Sequence, residues 1–155
     1  MNVTAALTRQ GWRLLQVGLG LLLYSSVEGF VIPYARSQRV GLSVHTLAAL
    51  QGVLLLTLGL VWPRLHLGEK SSVVAYWCLV YSALAILAAY TTAAFWGVGN
   101  ETIKLAGELP HGLIHGTPFQ EAFVKVLAYS SAPTGICALV LVLWGLRAGG
   151  RASAA

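Results

Sequence analysis

The stretch GLSVHTLAALQGVLLLTLGLVWPRL, residues 41–65, decides the fold. From Thr46 to Trp62 it is almost entirely hydrocarbon, and its only side-chain amide is Gln51. A helix that crosses the apolar core of a bilayer needs about 20 mostly apolar residues. Because unsatisfied backbone polar groups are costly in lipid, such a segment must be helical. The stretch therefore predicts a membrane-spanning helix over residues 45–62, with His45 at its entrance.

The whole chain has the composition of a membrane protein. Of its 155 residues, 57% are hydrophobic and 10% are charged, against about 25% charged residues in soluble domains. The mean hydropathy is +0.73. The ten Lys and Arg residues leave a net charge of +5, but they lie between apolar runs rather than along one face. This distribution indicates contact with lipid headgroups and no nucleic-acid partner.

Three further apolar runs cover residues 11–31, 73–96 and 122–146. Each is long enough to cross a bilayer as a helix. The sequence therefore predicts an all-α integral membrane protein, a four-helix bundle that forms one domain over residues 1–155. Thr117, Pro118 and Gln120 predict a capping box at the start of the fourth helix. The tail at residues 148–155 is expected to be disordered.

The positive residues predict an orientation. One side of the membrane would hold the N-terminus, the second connection and the C-terminus, and the other side would hold the first and third connections. The first set carries Arg9, Arg13, Arg64, Lys70, Arg147 and Arg151, and the second carries Arg36, Arg39, Lys104 and Lys125. Because positive residues concentrate on the cytoplasmic side, both termini are expected in the cytoplasm, with the protein in a bacterial inner membrane.

His45 is the candidate metal ligand. With Ser43 as the expected N-cap, His45 falls in the first helical turn, where the positive helix end disfavours protonation. Neutral imidazole is the form that binds a metal or haem iron. Ala48, Ala49 and Gly52 share its helical face, which leaves room for a flat cofactor or for a neighbouring helix. The spacing alone leaves two interpretations open, a ligand and a histidine that forms an interfacial hydrogen bond.

Three more polar side chains within the apolar runs are candidates for a site. Gln51 either joins helices by hydrogen bonds or takes part in a site. The Tyr90 hydroxyl needs a partner, in the core or in a site. Glu28 is a functional candidate, as intramembrane acids generally are, or it forms an interfacial ion pair with Arg36 or Arg39.

The third connection, residues 97–121, is long enough to be functional. It predicts a short interfacial helix near ETIKLAGEL. His111 and His115 have a spacing that zinc sites use on helices. The surrounding glycines and prolines argue against a helix, no Glu or Asp stands at ligand spacing, and no Cys is near. Loop histidines without a metal are therefore expected here.

Several motifs in order resemble a known family. RVGLSVH at 39–45 runs on into LGLVWPRL at 58–65, and HGTPFQEAFVKVLAYS at 115–130 precedes LVLWGLR at 141–147. Together, from about residue 12 to 147, they resemble the hydroxylaminobenzene mutases. That family is similar to the styrene oxide isomerases, which are small four-helix membrane proteins.

This resemblance implies a cofactor and a reaction. It implies a homotrimer with ferric haem b near the subunit interfaces, the iron bound by His45 and acting as a Lewis acid. Ala49 and Gly52 would then contact the cofactor. The implied reaction rearranges a small aromatic substrate internally, either an arylhydroxylamine to an aminophenol or an aryl epoxide to an aldehyde. Tyr90 corresponds to the substrate-side tyrosine of the isomerases.

Two positions depart from the family pattern. Gln51 stands where the family has Asn, and Ile86 replaces an Asn on the third helix, which removes a polar group from the expected pocket. A non-catalytic haem-binding membrane protein is therefore one alternative. A small proton-coupled transporter that uses Glu28 is another, and a purely structural membrane protein is the third.

Overall fold

Four long helices make up the fold. The computed structural model describes residues 3–99, 102–103 and 116–152, with side-chain surroundings up to Arg147. In these ranges there is no strand, and the helices are α1 (Val3–Val31), α2 (Gln38–Val61), α3 (Glu69–Trp96) and α4 (Pro118–Ala152). Each is long and apolar enough to cross a membrane. The predicted all-α four-helix membrane fold is confirmed.

Three helices begin earlier than the apolar runs suggested. The apolar runs that begin at residues 11, 45 and 73 mark only the segments that suit the hydrocarbon core. The helices α1, α2 and α3 begin at Val3, Gln38 and Glu69. A helix continues into the headgroup region until a breaker or a cap ends it. The predicted N-cap at Ser43 is wrong, since Ser37 holds that position and the Ser43 hydroxyl donates to the Arg39 carbonyl within α2.

The capping box at the start of α4 is confirmed. The Thr117 N–H donates to Gln120 Oε1 over 2.9 Å, and the Gln120 N–H donates to Thr117 Oγ1 over 3.3 Å. At the other end, the helical backbone of α4 continues to Ala152, beyond residue 148, where the predicted tail begins. Disorder of that tail stays a prediction.

Two helical hairpins meet at the centre of the molecule. α1 packs along α2, and α3 packs along α4, while α2 and α3 join the two hairpins. α1 touches α3 more lightly. α4 is largely exposed, and its outward residues include Val126, Tyr129 and Trp144. The large outward surface suits a chain surrounded by lipid or by further copies of itself.

Glycines bring α1 and α2 into backbone contact. A Cβ added to Gly18 would lie 2.8 Å from the Gly52 carbonyl oxygen, and one added to Gly11 would lie 2.8 Å from that of Gly59. Small residues in such positions let membrane helices approach closely. The α1 backbone therefore fills the space beside Gly52, as the helix-packing interpretation of the small-residue face expects. A cofactor contact for Gly52 stays a prediction.

Candidate functional site

The candidate site continues this α1–α2 contact by one more layer. On α1, Gly11 and Gly18 are followed by Ser25 at the same seven-residue spacing, and on α2, Gly59 and Gly52 are preceded by His45. Residues seven apart share a helix face. The third layer therefore places a buried serine against a half-buried histidine, where the first two layers pair glycine with glycine.

Ser25 holds His45 through three short contacts. His45 Nδ1 lies 2.8 Å from the Ser25 carbonyl oxygen and 3.2 Å from Ser25 Oγ. In the other direction, Ser25 Oγ donates to the His45 carbonyl oxygen over 2.9 Å. A carbonyl can only accept, so Nδ1 is the atom that carries the proton. The imidazole is thus bound to α1 by the ring edge that bears Nδ1.

This hydrogen bond leaves Nε2 as the ring atom that can bind a metal. Both ring contacts that the described residues make with His45 use Nδ1. A histidine that ligates a metal usually donates its other N–H to a carbonyl or carboxylate, which sets its tautomer. The predicted position of His45 in the first helical turn is wrong, because α2 begins at Gln38. The tautomer is set by the hydrogen bond that Nδ1–H donates to the Ser25 carbonyl of the neighbouring helix.

Glu28 lies on the same inward face of α1. It is only 4% exposed, and its Oε2 is buried without a hydrogen-bond partner among the described residues. The predicted ion pair with Arg36 or Arg39 is wrong. The Arg36 guanidinium contacts the Trp96 carbonyl instead, at 3.4 Å. Glu28 follows Ser25 by three residues and so points into the helix packing, whereas both arginines are exposed.

Tyr90 borders an open cavity between α2 and α3. The cavity has a volume of about 380 Å³ and a mostly apolar lining. Its walls are formed by Leu42, Ser43, Thr46, Leu47, Leu50 and Tyr90. A small aromatic molecule fits a space of this size and character. The cavity opens on the outer side of the molecule, where lipid or another subunit would lie.

His45 and Tyr90 lie on different sides of α2 within one chain. The His45 ring faces α1 at Ser25, whereas the cavity at Tyr90 is lined by α2 residues on another part of the helix surface. His45 is not among its lining residues. The described residues of a single subunit therefore do not bring the two side chains into one pocket.

The other predicted site residues have simpler surroundings. Gln51 is half-buried, and its side chain forms no hydrogen bond within the described ranges. Ala49 and Ile86 are half-buried on α2 and α3. Their contacts with a cofactor or substrate stay predictions.

Two structural features were missed from the sequence. The first is the contact of Ser25 with His45. A signal that could have found it is the seven-residue spacing of small residues on α1, compared with the same spacing on α2. The second is a contact between the Tyr24 hydroxyl and Thr91 Oγ1, at 3.0 Å, which joins α1 to α3. It lies one residue from Tyr90 and holds that part of α3 against α1.

The expected features of the third connection fall mainly on residues that the structure does not describe. His111 and His115 lie outside the described ranges, as does the predicted interfacial helix near ETIKLAGEL apart from Thr102 and Ile103. Among the described residues, no group of three or more His, Cys, Asp or Glu could hold a metal ion.

Fold and site together define a small four-helix membrane protein whose histidine is oriented from a neighbouring helix. The family model for styrene oxide isomerase matches residues 10–147. The chain therefore belongs to the styrene oxide isomerase family, and it is an isomerase. No solved structure is significantly similar to it.

Two characterised relatives come from Ectopseudomonas oleovorans. Hydroxylaminobenzene mutase HabB is 38% identical over 135 residues, which are 87% of this chain and 80% of the relative. Hydroxylaminobenzene mutase HabA is 31% identical over 129 residues, which are 83% of this chain and 93% of the relative. The resemblance inferred from the motifs is confirmed over most of the chain.

Proposed function

We propose that this chain is a haem-dependent membrane mutase that converts an arylhydroxylamine to an aminophenol. The observation that carries the proposal is the orientation of His45, whose Nδ1 is held by the Ser25 carbonyl at 2.8 Å. That contact leaves Nε2 as the metal-binding atom. Family membership and the names of both relatives support the mutase activity.

The residues present fit a haem bound on one side by a histidine. His45 would hold the iron through Nε2. Of the other predicted contacts, Ala49 is half-buried, whereas the α1 backbone fills the space beside Gly52. When bound, ferric haem b would supply a Lewis acid that polarises a substrate oxygen. The apolar residues around the Tyr90 cavity would exclude competing water.

Tyr90 and Gln51 are the proposed substrate-side residues. The Tyr90 hydroxyl lies at an apolar cavity, where it would donate a hydrogen bond to the substrate oxygen and orient the aromatic ring. The Gln51 amide has no hydrogen bond within the described ranges and would supply a second polar contact. Ile86 stands where the family has Asn, and it is not among the residues that line the Tyr90 cavity.

The proposed reaction is an isomerisation with no net oxidation. The N–O bond of the arylhydroxylamine breaks and a C–O bond forms at the aromatic ring. The ring carbon loses a proton and the nitrogen gains one, so the atoms balance without a reductant. An aryl epoxide is the second substrate class, since the family model is that of styrene oxide isomerase. Rearrangement to an aldehyde by a 1,2-hydride shift is likewise redox-neutral.

We also infer a homotrimer in a bacterial inner membrane. Because His45 and the Tyr90 cavity lie on different sides of α2, a neighbouring subunit would bring one of each together. Four spans place both termini on the same side of the membrane, and the distribution of Lys and Arg makes that side the cytoplasm.

An absorption spectrum of the detergent-purified protein, produced with sufficient haem, tests this function. We expect a Soret band that is lost in His45→Ala and kept in His66→Ala, because His66 is an exposed histidine outside the site. Purified holoprotein should then convert phenylhydroxylamine to an aminophenol without added reductant. Bound haem and full activity in His45→Ala would refute the ligand assignment. Haem without turnover of phenylhydroxylamine or styrene oxide would indicate the non-catalytic alternative.

A further inference from the structure

The hydroxyl of Ser25 has no role in the resemblance to the mutases, yet it lies 3.2 Å from His45 Nδ1. Ser25 is 4% exposed and lies within the hydrophobic span of α1. A buried hydroxyl is costly unless it is hydrogen-bonded. Its partners are both on one residue of the neighbouring helix, the ring and the carbonyl of His45.

A serine inside a helix usually donates its hydroxyl hydrogen bond to a carbonyl of the same helix. Ser26, the next residue, donates to the Leu22 carbonyl of its own helix over 3.0 Å, and Ser43 and Thr46 do the same within α2. Such local bonds satisfy the hydroxyl without involving another helix. The Ser25 hydroxyl instead spans the α1–α2 interface, so its position depends on His45.

One serine thus constrains the histidine at two points. Its carbonyl accepts from Nδ1 at 2.8 Å, which sets the tautomer, and its hydroxyl donates to the His45 carbonyl at 2.9 Å, which fixes the α2 backbone at that residue. The lone pairs of Oγ, 3.2 Å from Nδ1, offer the same N–H a second acceptor. Gly29 completes the contact, since a Cβ there would lie 3.5 Å from Nδ1.

We propose that Ser25 is a positioning residue for the metal-binding histidine: its carbonyl holds His45 in the Nδ1–H tautomer, and its hydroxyl, through the His45 carbonyl and Nδ1, holds the ring in one orientation, which would keep Nε2 directed at the haem iron. This inference rests on the proposed function. Partners of metal-ligating histidines typically change metal affinity about 10- to 100-fold when removed. Ser25 therefore tunes how firmly the cofactor is held without touching the substrate.

The test compares Ser25→Ala with Ser26→Ala, two neighbouring serines of α1 that differ in partner. Haem transfer from each holoprotein to a haem-free acceptor globin measures retention. We expect Ser25→Ala to lose haem at least about tenfold faster than the wild type, and Ser26→Ala to match the wild type. Ser25→Cys, which keeps a weak donor of similar size, should lie between them. Equal retention in Ser25→Ala and Ser26→Ala would overturn the inference.

A second set of variants, made in the His45→Gly background, distinguishes the positioning role of Ser25 from a purely structural role. In His45→Gly, free imidazole replaces the tethered side chain as the iron ligand, while the backbone carbonyl of residue 45 remains. Removal of the Ser25 hydroxyl should then leave haem retention unchanged. If Ser25→Ala speeds haem loss equally in both backgrounds, the hydroxyl only supports helix packing and the positioning role is wrong.

A measurement on the haem-free protein distinguishes failure of this inference from failure of the proposed function. Nitrogen-15 NMR of labelled histidine, with His45 assigned by its loss in His45→Ala, reports which ring nitrogen bears the proton. We expect the Nδ1–H tautomer in the wild type and in both serine variants, because the carbonyl of residue 25 remains in each. A predominant Nε2–H tautomer in the wild type would contradict the positioning role. A wild type that never binds haem would refute the proposed function, while the tautomer result stands independently.

Discussion

At the scale of single residues, the function depends on what each buried polar group contacts. His45 was a candidate from its position alone, but the spacing left both a ligand and an interfacial hydrogen bond open. Its Nδ1 contact with the Ser25 carbonyl accounts for both, since a hydrogen bond at one nitrogen prepares the other for metal. Glu28 shows the opposite case, because its buried Oε2 has no hydrogen-bond partner among the described residues.

Replacement of Tyr90 by phenylalanine should lower turnover while haem stays bound. Loss of a hydrogen bond to a developing charge typically lowers kcat by about 10²-fold or more. The apolar cavity and the packing of the ring are kept. Tyr81→Phe is the matched control on the same helix, since the Tyr81 hydroxyl contacts Ser130 on α4. Steady-state kinetics with phenylhydroxylamine measure the turnover of each variant, and the Soret spectrum measures its bound haem. Unchanged kcat in Tyr90→Phe would remove Tyr90 from the site.

Replacement of Glu28 by methionine should stabilise the haem-free protein. The side chain keeps a similar size, and the buried oxygen without a partner, which costs about 1–3 kcal/mol, is removed. The unfolding free energy in a denaturing-detergent titration should rise by a similar amount. Glu69→Met, at an exposed position at the start of α3, should change it by no more than about 0.5 kcal/mol. A destabilised Glu28→Met would mean that the carboxyl has a partner.

At the scale of helices, close approach at glycines sets the geometry of the site. Gly11 and Gly18 on α1 meet Gly59 and Gly52 on α2 at backbone distance. The same spacing then brings Ser25 to His45, so the register of the hairpin decides which residue faces the histidine. The four spans and the α4 capping box could be predicted, since hydropathy and cap chemistry are local. The starts of α1, α2 and α3 could not, because an apolar run marks only the part of a helix that lies in hydrocarbon.

Gly18→Ala should disrupt the α1–α2 contact, whereas Gly20→Ala should not. A methyl group on Gly18 would lie 2.8 Å from the Gly52 carbonyl oxygen and 2.9 Å from the Leu56 nitrogen. A methyl group on Gly20 would meet no atom of the described residues within 4 Å. Overpacking of this kind costs about 1–3 kcal/mol. Gly20→Ala should be neutral or stabilising, because alanine favours helix over glycine. Unfolding free energies of the two variants, measured side by side, test the register. Equal effects would show that Gly18 does not face Gly52.

At the scale of the whole molecule, the two hairpins are joined through α2 and α3, and the predicted site residues lie in two separate places. The His45 ring faces α1 and the Tyr90 cavity opens between α2 and α3. Much of α4 is exposed, including Tyr129 and Trp144. An assembly of several copies would cover this surface and could join the two halves of the site. The resemblance implies such an assembly, and it stays a prediction.

Co-expression of two variants tests whether the site spans subunits. His45→Ala and Tyr90→Ala should each be impaired alone. If His45 of one subunit works with Tyr90 of the next, mixed oligomers will contain some intact sites, and their activity will exceed the sum of the two parents. Light scattering in detergent should give the mass of three chains. Mixed oligomers without recovered activity would place both residues of a working site in one subunit.

The sequence by itself determined the membrane environment, the four helices and the family, because hydropathy, helix caps and ordered motifs are properties of local chain segments. It also singled out His45 and Tyr90. Only the tertiary structure decided that Ser25 orients His45, that Glu28 is buried away from Arg36 and Arg39, and that His45 and Tyr90 lie on different sides of α2. Those facts depend on the register and rotation of one helix against another, which residues far apart in the chain set jointly.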